Sequence, residues 1–393
     1  MTILDQIRPY LPEVIAWRRD FHEHPELGFQ EHRTSKLVQE RLISFGLDVK
    51  TGFAETAVLG TMATGQPGKT VVLRADMDAL PMQELNEVSY RSQSDGVCHA
   101  CGHDAHTANL LGVAKYMSEH REEFCGTIKF LFQPAEEGPW PGGAKKVVDS
   151  GILDDSDCII GMHNIMEEET GTLIVRYGPG NASGDEFTIK VIGVGCHGAR
   201  PHTGRDSIVI ASQVVTAFQN IISRELDPLK SAVISFGSIH GGAENGTNII
   251  PQEVVLKGTV RALEPDVRTM VLARMEEVVA GICKLNHASY TFDTIFNVPC
   301  LTSAVDLVKK IEEACVEVVG REHVIHRAAP VMGFEDFAYY TQNYHAAFFY
   351  FGGKNEAKGL IHNGHSPYYN LDEDALLYGM AAFVAAVKKL MKP

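Results

Sequence analysis

Apolar residues at three- and four-residue spacing (Leu11, Val14, Ile15, Trp17, then Leu37, Val38, Leu42, Ile43) predict helix across residues 9–46, with Gly46 as its stop. Short β-like runs follow at Ala57–Met62 and Thr70–Ala75, separated by the turn-forming Gly65-Gln66-Pro67-Gly68. The pattern then alternates: a helix from Ala105 to His120 with Asp104 as its N-cap, and strands at Thr127–Phe132 and Cys158–Met162. Continuous apolar strands between helices predict an α/β fold with a mixed, mostly parallel sheet and helices on both faces.

The ends of these strands carry the polar residues. Val71–Ala75 leads into Asp76-Met77-Asp78, Ile128–Phe132 into Gln133-Pro134-Ala135-Glu136-Glu137, Ile159–Met162 into His163, and Ala346–Phe351 into a loop with His362 and His365. In open α/β sheets that edge is where sites form, so groups distant in sequence can converge there. The middle of the chain changes character near Gly178-Pro179-Gly180 and reads strand 185–195, helix 207–224, strands 231–240 and 253–262, helix 265–286, strand 288–296. That β-α-β-β-α-β order predicts a ferredoxin-like α+β insert. The expected division is a discontinuous catalytic domain, 1–182 with 297–393, around an inserted lid or dimerisation domain, 183–296.

A length of 393 residues agrees with two domains, and 45% apolar with 22% charged residues excludes a disordered chain. The net charge of −15 argues against nucleic acid as a partner and requires a local cation to recruit an anionic substrate. Asp5 and Arg8 interrupt any secretory apolar core, no apolar run is long enough to span a bilayer, and the eight cysteines are too scattered for a disulfide framework. A cytoplasmic enzyme with no membrane partner is the simplest expectation.

Cys101-Gly102-His103-Asp104, Glu136-Glu137 and His163 combine a thiolate, imidazoles and carboxylates, the donors of a borderline-soft divalent ion with a carboxylate to spare. Cys98-His99-Ala100-Cys101 could instead be a redox pair or half a zinc knuckle, but no second CxxC completes a knuckle. Cys98 reads as packing. Two adjacent carboxylates at a strand end can diverge, one binding metal and the other taking a proton. Asp76 and Asp78 either orient a ligand imidazole from behind or simply end the strand. The donor set suits zinc, manganese, cobalt or nickel.

His22-Glu23-His24-Pro25-Glu26-Leu27, Arg74–Pro81, His99–His106, Pro134-Ala135-Glu136-Glu137-Gly138 and Gly161-Met162-His163 together resemble the M20 metallopeptidases, specifically their amidohydrolase branch of aminoacylases, hippurate hydrolases and auxin-conjugate hydrolases. The resemblance implies two divalent metal ions held by Cys101, His103, Glu137, His163 and a C-terminal histidine. It makes Glu136 the general base and acid, and Asp78 the aspartate that orients a ligand. His365, which precedes Ser366-Pro367, is the preferred last ligand, with His362 as the alternative. Gly195–His202 resembles the segment whose histidine, here His197, reaches a partner subunit and stabilises an oxyanion, which implies a homodimer. Asn248 and Arg261 match positions that hold a substrate carboxylate, and Glu335 either contacts substrate or starts a helix. The implied activity is hydrolysis of N-acyl amino acids. The competing readings are a dipeptidase or other small exopeptidase, and a metal- or ligand-binding protein without turnover.

Overall fold

Runs such as Val71-Val72-Leu73 and Ile159-Ile160 are apolar on both sides, so a strand built from them must be covered on both faces. In the computed structural model, which describes residues 2–391, they lie at 0% exposure in the middle of an eight-stranded sheet. Its strands are β1 (Asp48–Thr51), β2 (Val58–Ala63), β3 (Thr70–Asp76), β4 (Thr127–Gln133), β5 (Cys158–Glu169), β6 (Leu173–Val175), β7 (Val324–His326) and β8 (Ala346–Lys354). They run in the order β1-β2-β4-β3-β5-β8-β6-β7. The β4-β3, β3-β5, β5-β8 and β6-β7 pairs are parallel, and the others antiparallel. The mostly parallel mixed sheet read from the sequence is therefore present.

This sheet belongs to one of two compact units, formed by Met1–Gly178, Thr302–Ala329 and Asp336–Pro393. Helices Leu11–Glu23, His103–Glu119, Val305–Val319 and Ala375–Leu390 contribute Val14, Leu110, Leu111, Ile311, Met380 and Phe383 to a single core with Leu73, Ile160 and Phe349. Parallel strands leave their carboxyl ends together at one edge of the sheet.

Local structure departs from the sequence expectation at instructive places. The helix expected over 9–46 is two helices, Leu11–Glu23 and His32–Ser44. Pro25 disfavours helical geometry at His24, and Glu26 then accepts from Arg33 N (2.9 Å) and Thr34 N (2.8 Å), satisfying the first turn of the second helix. Asp104 is not an N-cap, because the helix starts at His103 after Gly102. Its carboxylate turns inward to Arg18 Nε (2.7 Å) and His22 Nδ1 (2.8 Å). Although burial pushes it up, Arg18 and His22 hold Asp104 well below the usual carboxylate range. His163 does not end its strand either: β5 continues to Glu169, and His163 pairs in register with Tyr350.

The second unit, Pro179–Leu301 with Pro330–Glu335, contains the β-α-β-β-α-β sequence. Strands Gly184–Ile192, Ala232–Gly241, Glu253–Ala262 and Ser289–Val298 form an antiparallel sheet in which Glu253–Ala262 and Ser289–Val298 flank Gly184–Ile192. Helices Ser207–Asn220 and Pro265–Leu285 share its core through Phe187, Ile189, Val214, Phe218, Val271 and Met275. That is the ferredoxin-like order expected from the sequence. Among the described residues no helix is long and apolar enough to cross a membrane.

Leu73 lies in the centre of the larger sheet with no exposed surface. Leu73→Ala is expected to destabilise the protein by about 2–5 kcal/mol in urea titration, through lost burial and an unfilled cavity. A cost under about 1 kcal/mol would contradict the placement of the core.

Candidate metal centre

The carboxyl edge of the sheet gathers the donors. Gly102 sits at φ +89 before helix His103–Glu119, which sets Cys101 and His103 on either side of a left-handed turn. A side chain there would also collide: a Cβ would lie 2.2 Å from Asn164 Nδ2 and 2.3 Å from Tyr369 OH. Glu136 and Glu137 follow β4, and His163 projects from within β5. His365 comes from the loop after β8, at φ +63, with its N–H donated to Ala100 O (2.7 Å).

These side chains converge in overlapping groups whose donor atoms lie within 4.8 Å of one another: Cys101 with His103 and His163, Cys101 with Glu137 and His365, and His103 with Glu136 and Glu137. Cys101 Sγ is 3.4 Å from His163 Nε2, and His365 Nε2 is 2.9 Å from Glu137 Oε1. His103 Nε2 is buried without a hydrogen-bond partner, 3.9 Å from Glu136 Oε2. An orphaned imidazole nitrogen facing a thiol and carboxylates fits a divalent cation, since burying such a group unpaired is costly. Contact with Cys101 and Glu137 pushes His365 up to about 10, a measure of how strongly this donor set attracts positive charge. Burial and Glu137 push the Cys101 thiol up, against the pull of His103 and His365. A coordinated cation reverses that balance, because a ligating thiol is deprotonated.

The fully buried trio Asp76, His103 and His106 is a competing ligand set. His106 has no lone pair to offer it: Nδ1 bonds Asp76 Oδ1 (2.6 Å) and Nε2 accepts from Asn164 N (3.0 Å). Asp76 is further bound by Arg74 (2.5 Å). His106, Asn164 and Arg74 are thus supports whose roles the sequence reading missed. The i, i+3 spacing of His103 and His106, which puts both on one helix face, was the available signal.

Asp78 contacts two of the candidate donor residues. Its Oδ1 lies 3.2 Å from His103 Nδ1, which directs Nε2 at the centre, and its Oδ2 accepts from Glu137 N (2.8 Å). His163 Nδ1 contacts the Asn164 carbonyl at 2.5 Å, fixing its Nε2 toward Cys101. Cys98 is buried in the core, as packing requires. His362 is exposed, lies tilted against Tyr368 (5.4 Å between rings) and joins none of the donor groups among the described residues.

The remaining sequence candidates belong to the second unit. His197 is exposed on a short strand, Cys196–His197, paired with Ile249–Ile250. Asn248 O accepts from Gly198 N (2.7 Å), so Asn248 and His197 occupy one local structure. Arg261 is half-buried over the Phe334 ring, 4.8 Å from its centroid. Glu335 begins no helix, the next one starting at Ala338.

A partly buried donor set at the carboxyl edge of a mostly parallel sheet, with adjacent carboxylates, fits a metal-dependent hydrolase. The chain belongs to peptidase family M20/M25/M40, whose description matches residues 72–389, and to its amidohydrolase branch. It is 45% identical over 290 residues to the N-acyl-L-amino acid amidohydrolase of Geobacillus stearothermophilus, covering 74% of this chain and 77% of that one. It is 38% identical over 391 residues to thermostable carboxypeptidase 2 of Saccharolobus solfataricus, covering 97% of each. The crystal structure of the Bacillus subtilis YXEP protein, a dinuclear metal binding peptidase, superposes with a TM-score of 0.83 at 31% identity, covering 98% of this chain and 99% of that one.

Asp78→Ala is expected to weaken metal binding about 10–100-fold in a chelator competition titration, because His103 and Glu137 lose their shared support. Unchanged affinity would contradict the orienting role.

Proposed function

We propose that this chain hydrolyses the amide bond of N-acyl amino acids, releasing a carboxylate and a free amino acid. The observation that carries the reading is the grouping of His103, Glu136 and Glu137, in which one carboxylate can bind metal while its neighbour handles a proton. Cys101, His103, Glu137, His163 and His365 would hold two divalent ions, of zinc, manganese, cobalt or nickel, whose chemistry is to polarise a carbonyl and make water nucleophilic at neutral pH. Glu136 takes the proton of the attacking water and delivers it to the leaving nitrogen as the carbon–nitrogen bond breaks. Asp78 keeps His103 and Glu137 in place while this happens.

Arg261 and Asn248 are assigned to the substrate carboxylate, Arg261 because its planar fork pairs bidentately with that group and supplies the cation an acidic chain needs. His197 is assigned to the oxyanion of the tetrahedral intermediate in a partner subunit, within a homodimer. Its exposure supports this, as does the terminal strand Ala232–Gly241 of its unit, which presents Val233 and Ile239 to solvent.

A small exopeptidase is the second reading, favoured by the carboxypeptidase relative. Hippurate, acetyl-methionine and an unblocked dipeptide assayed side by side separate the two: the N-acyl substrates should dominate kcat/KM, and preference for the dipeptide would overturn the first reading. Glu136→Gln should keep its metal and lose roughly 10²–10⁴-fold in kcat. A near-normal rate would remove Glu136 from the mechanism.

A further inference from the structure

Ala135, immediately before Glu136, adopts φ +52, a left-handed conformation that an L-residue with a Cβ takes only under constraint. The constraint comes from a distant part of the same unit. Glu31, at 0% exposure, accepts from Ala135 N through Oε1 (2.9 Å) and from Thr56 Oγ1 through Oε2 (2.5 Å). On the other side of the residue, Ala135 O accepts from Gly143 N (3.0 Å). The backbone leading to Glu31 is pressed against the same loop: a Cβ on Gly28 would fall 1.9 Å from Gly138 O and 3.0 Å from Ala135 Cβ. Segment 28–31 therefore clasps loop 134–138, the stretch that bears both adjacent carboxylates.

We propose that Glu31 is a positioning residue for the reaction: its carboxylate holds Ala135 in the left-handed conformation and so fixes the Glu136 carboxylate against His103. The inference rests on the reading of Glu136 as the proton-handling group. A bond from a side chain to one backbone N–H at a strained turn acts on direction more than on cohesion, because the turn has a relaxed alternative that points the following side chain elsewhere. Glycine at position 135 would occupy φ +52 without constraint. The clasp should then be dispensable.

The test is a double-variant cycle read by hippurate kinetics, metal content and amide hydrogen exchange of a peptide covering residues 134–138. Glu31→Ala should lower kcat roughly 10–100-fold with KM and metal content within about twofold of wild type, and exchange in the loop should quicken by about tenfold or more. Glu31→Gln, which keeps an acceptor for Ala135 N, should restore kcat to within about threefold. Adding Ala135→Gly to Glu31→Ala should regain most of the lost kcat, which a merely structural Glu31 would not allow. If Glu31→Ala does not fold, Thr56→Val, which removes the other donor to Glu31, replaces it in the cycle with a few-fold loss that Ala135→Gly reverses. A double variant no faster than the single one, equal losses in the Gln and Ala variants, or unchanged exchange would overturn the proposal. Hippurate turnover with no effect of Glu31 sinks the clasp alone. Faster exchange rescued by Gln, in a protein that hydrolyses no N-acyl amino acid, supports the clasp and sinks the functional reading.

Discussion

The charge on Asp76 has to be neutralised inside the protein, and the way this happens ties the sheet edge together. One oxygen is 2.5 Å from Arg74 and the other is 2.6 Å from His106 Nδ1, all three groups having essentially no exposed side-chain surface. Arg74 goes on to bond Gln133 (2.8 Å) and Asp336 (2.6 Å), while His106 receives Asn164. Asn164 in turn donates to the Cys101 carbonyl (3.0 Å) and accepts from Tyr369 (2.6 Å). A hydrogen-bonded chain thus crosses the ends of β4 and β3 and the middle of β5 and reaches the donor loop. Removing either partner of the buried Arg74–Asp76 pair leaves an uncompensated charge, at a cost of about 3–5 kcal/mol, so the strands are locked to one another.

That lock gives the site its preorganisation. Donors on a strand, at a helix start and on loops tied down by specific hydrogen bonds hold a geometry that unsupported loops would not. Asp78 spans His103 and Glu137, the Asn164 carbonyl fixes His163, and Ala100 O anchors the backbone of His365. Two of the five non-glycine residues at positive φ among the described residues, Ala135 at φ +52 and His365 at φ +63, adjoin or belong to the donor set. Strain gathers where the surrounding structure over-determines it.

Much of this was legible in the chain because it is local. Apolar runs of strand length gave the strands, and the polar residues that follow Ala75, Phe132 and Phe351 marked the edge where the site forms. All the failures but one share a cause: they are long-range. Asp104 has every local attribute of an N-cap, yet Arg18 and His22, more than eighty positions earlier, claim its carboxylate. His163 looked like a strand terminus because the apolar run stops there, whereas β8 keeps the pairing going to Glu169. His106 lay inside a quoted motif without a role, since only Asp76 and Asn164 in three dimensions show that both its nitrogens are engaged. The helix break at Pro25 was the one miss that local reasoning contained.

The central claim is that the thiol, imidazoles and carboxylates at this edge form one shared centre, with Asp76 and His106 as its support. Anomalous diffraction from a crystal of the manganese- or zinc-loaded protein tests it most directly. The account predicts two peaks, each bounded by members of the set Cys101, His103, Glu137, His163 and His365. A peak ligated by Asp76 and His106, or a metal-loaded crystal with no peak at this edge, would contradict it.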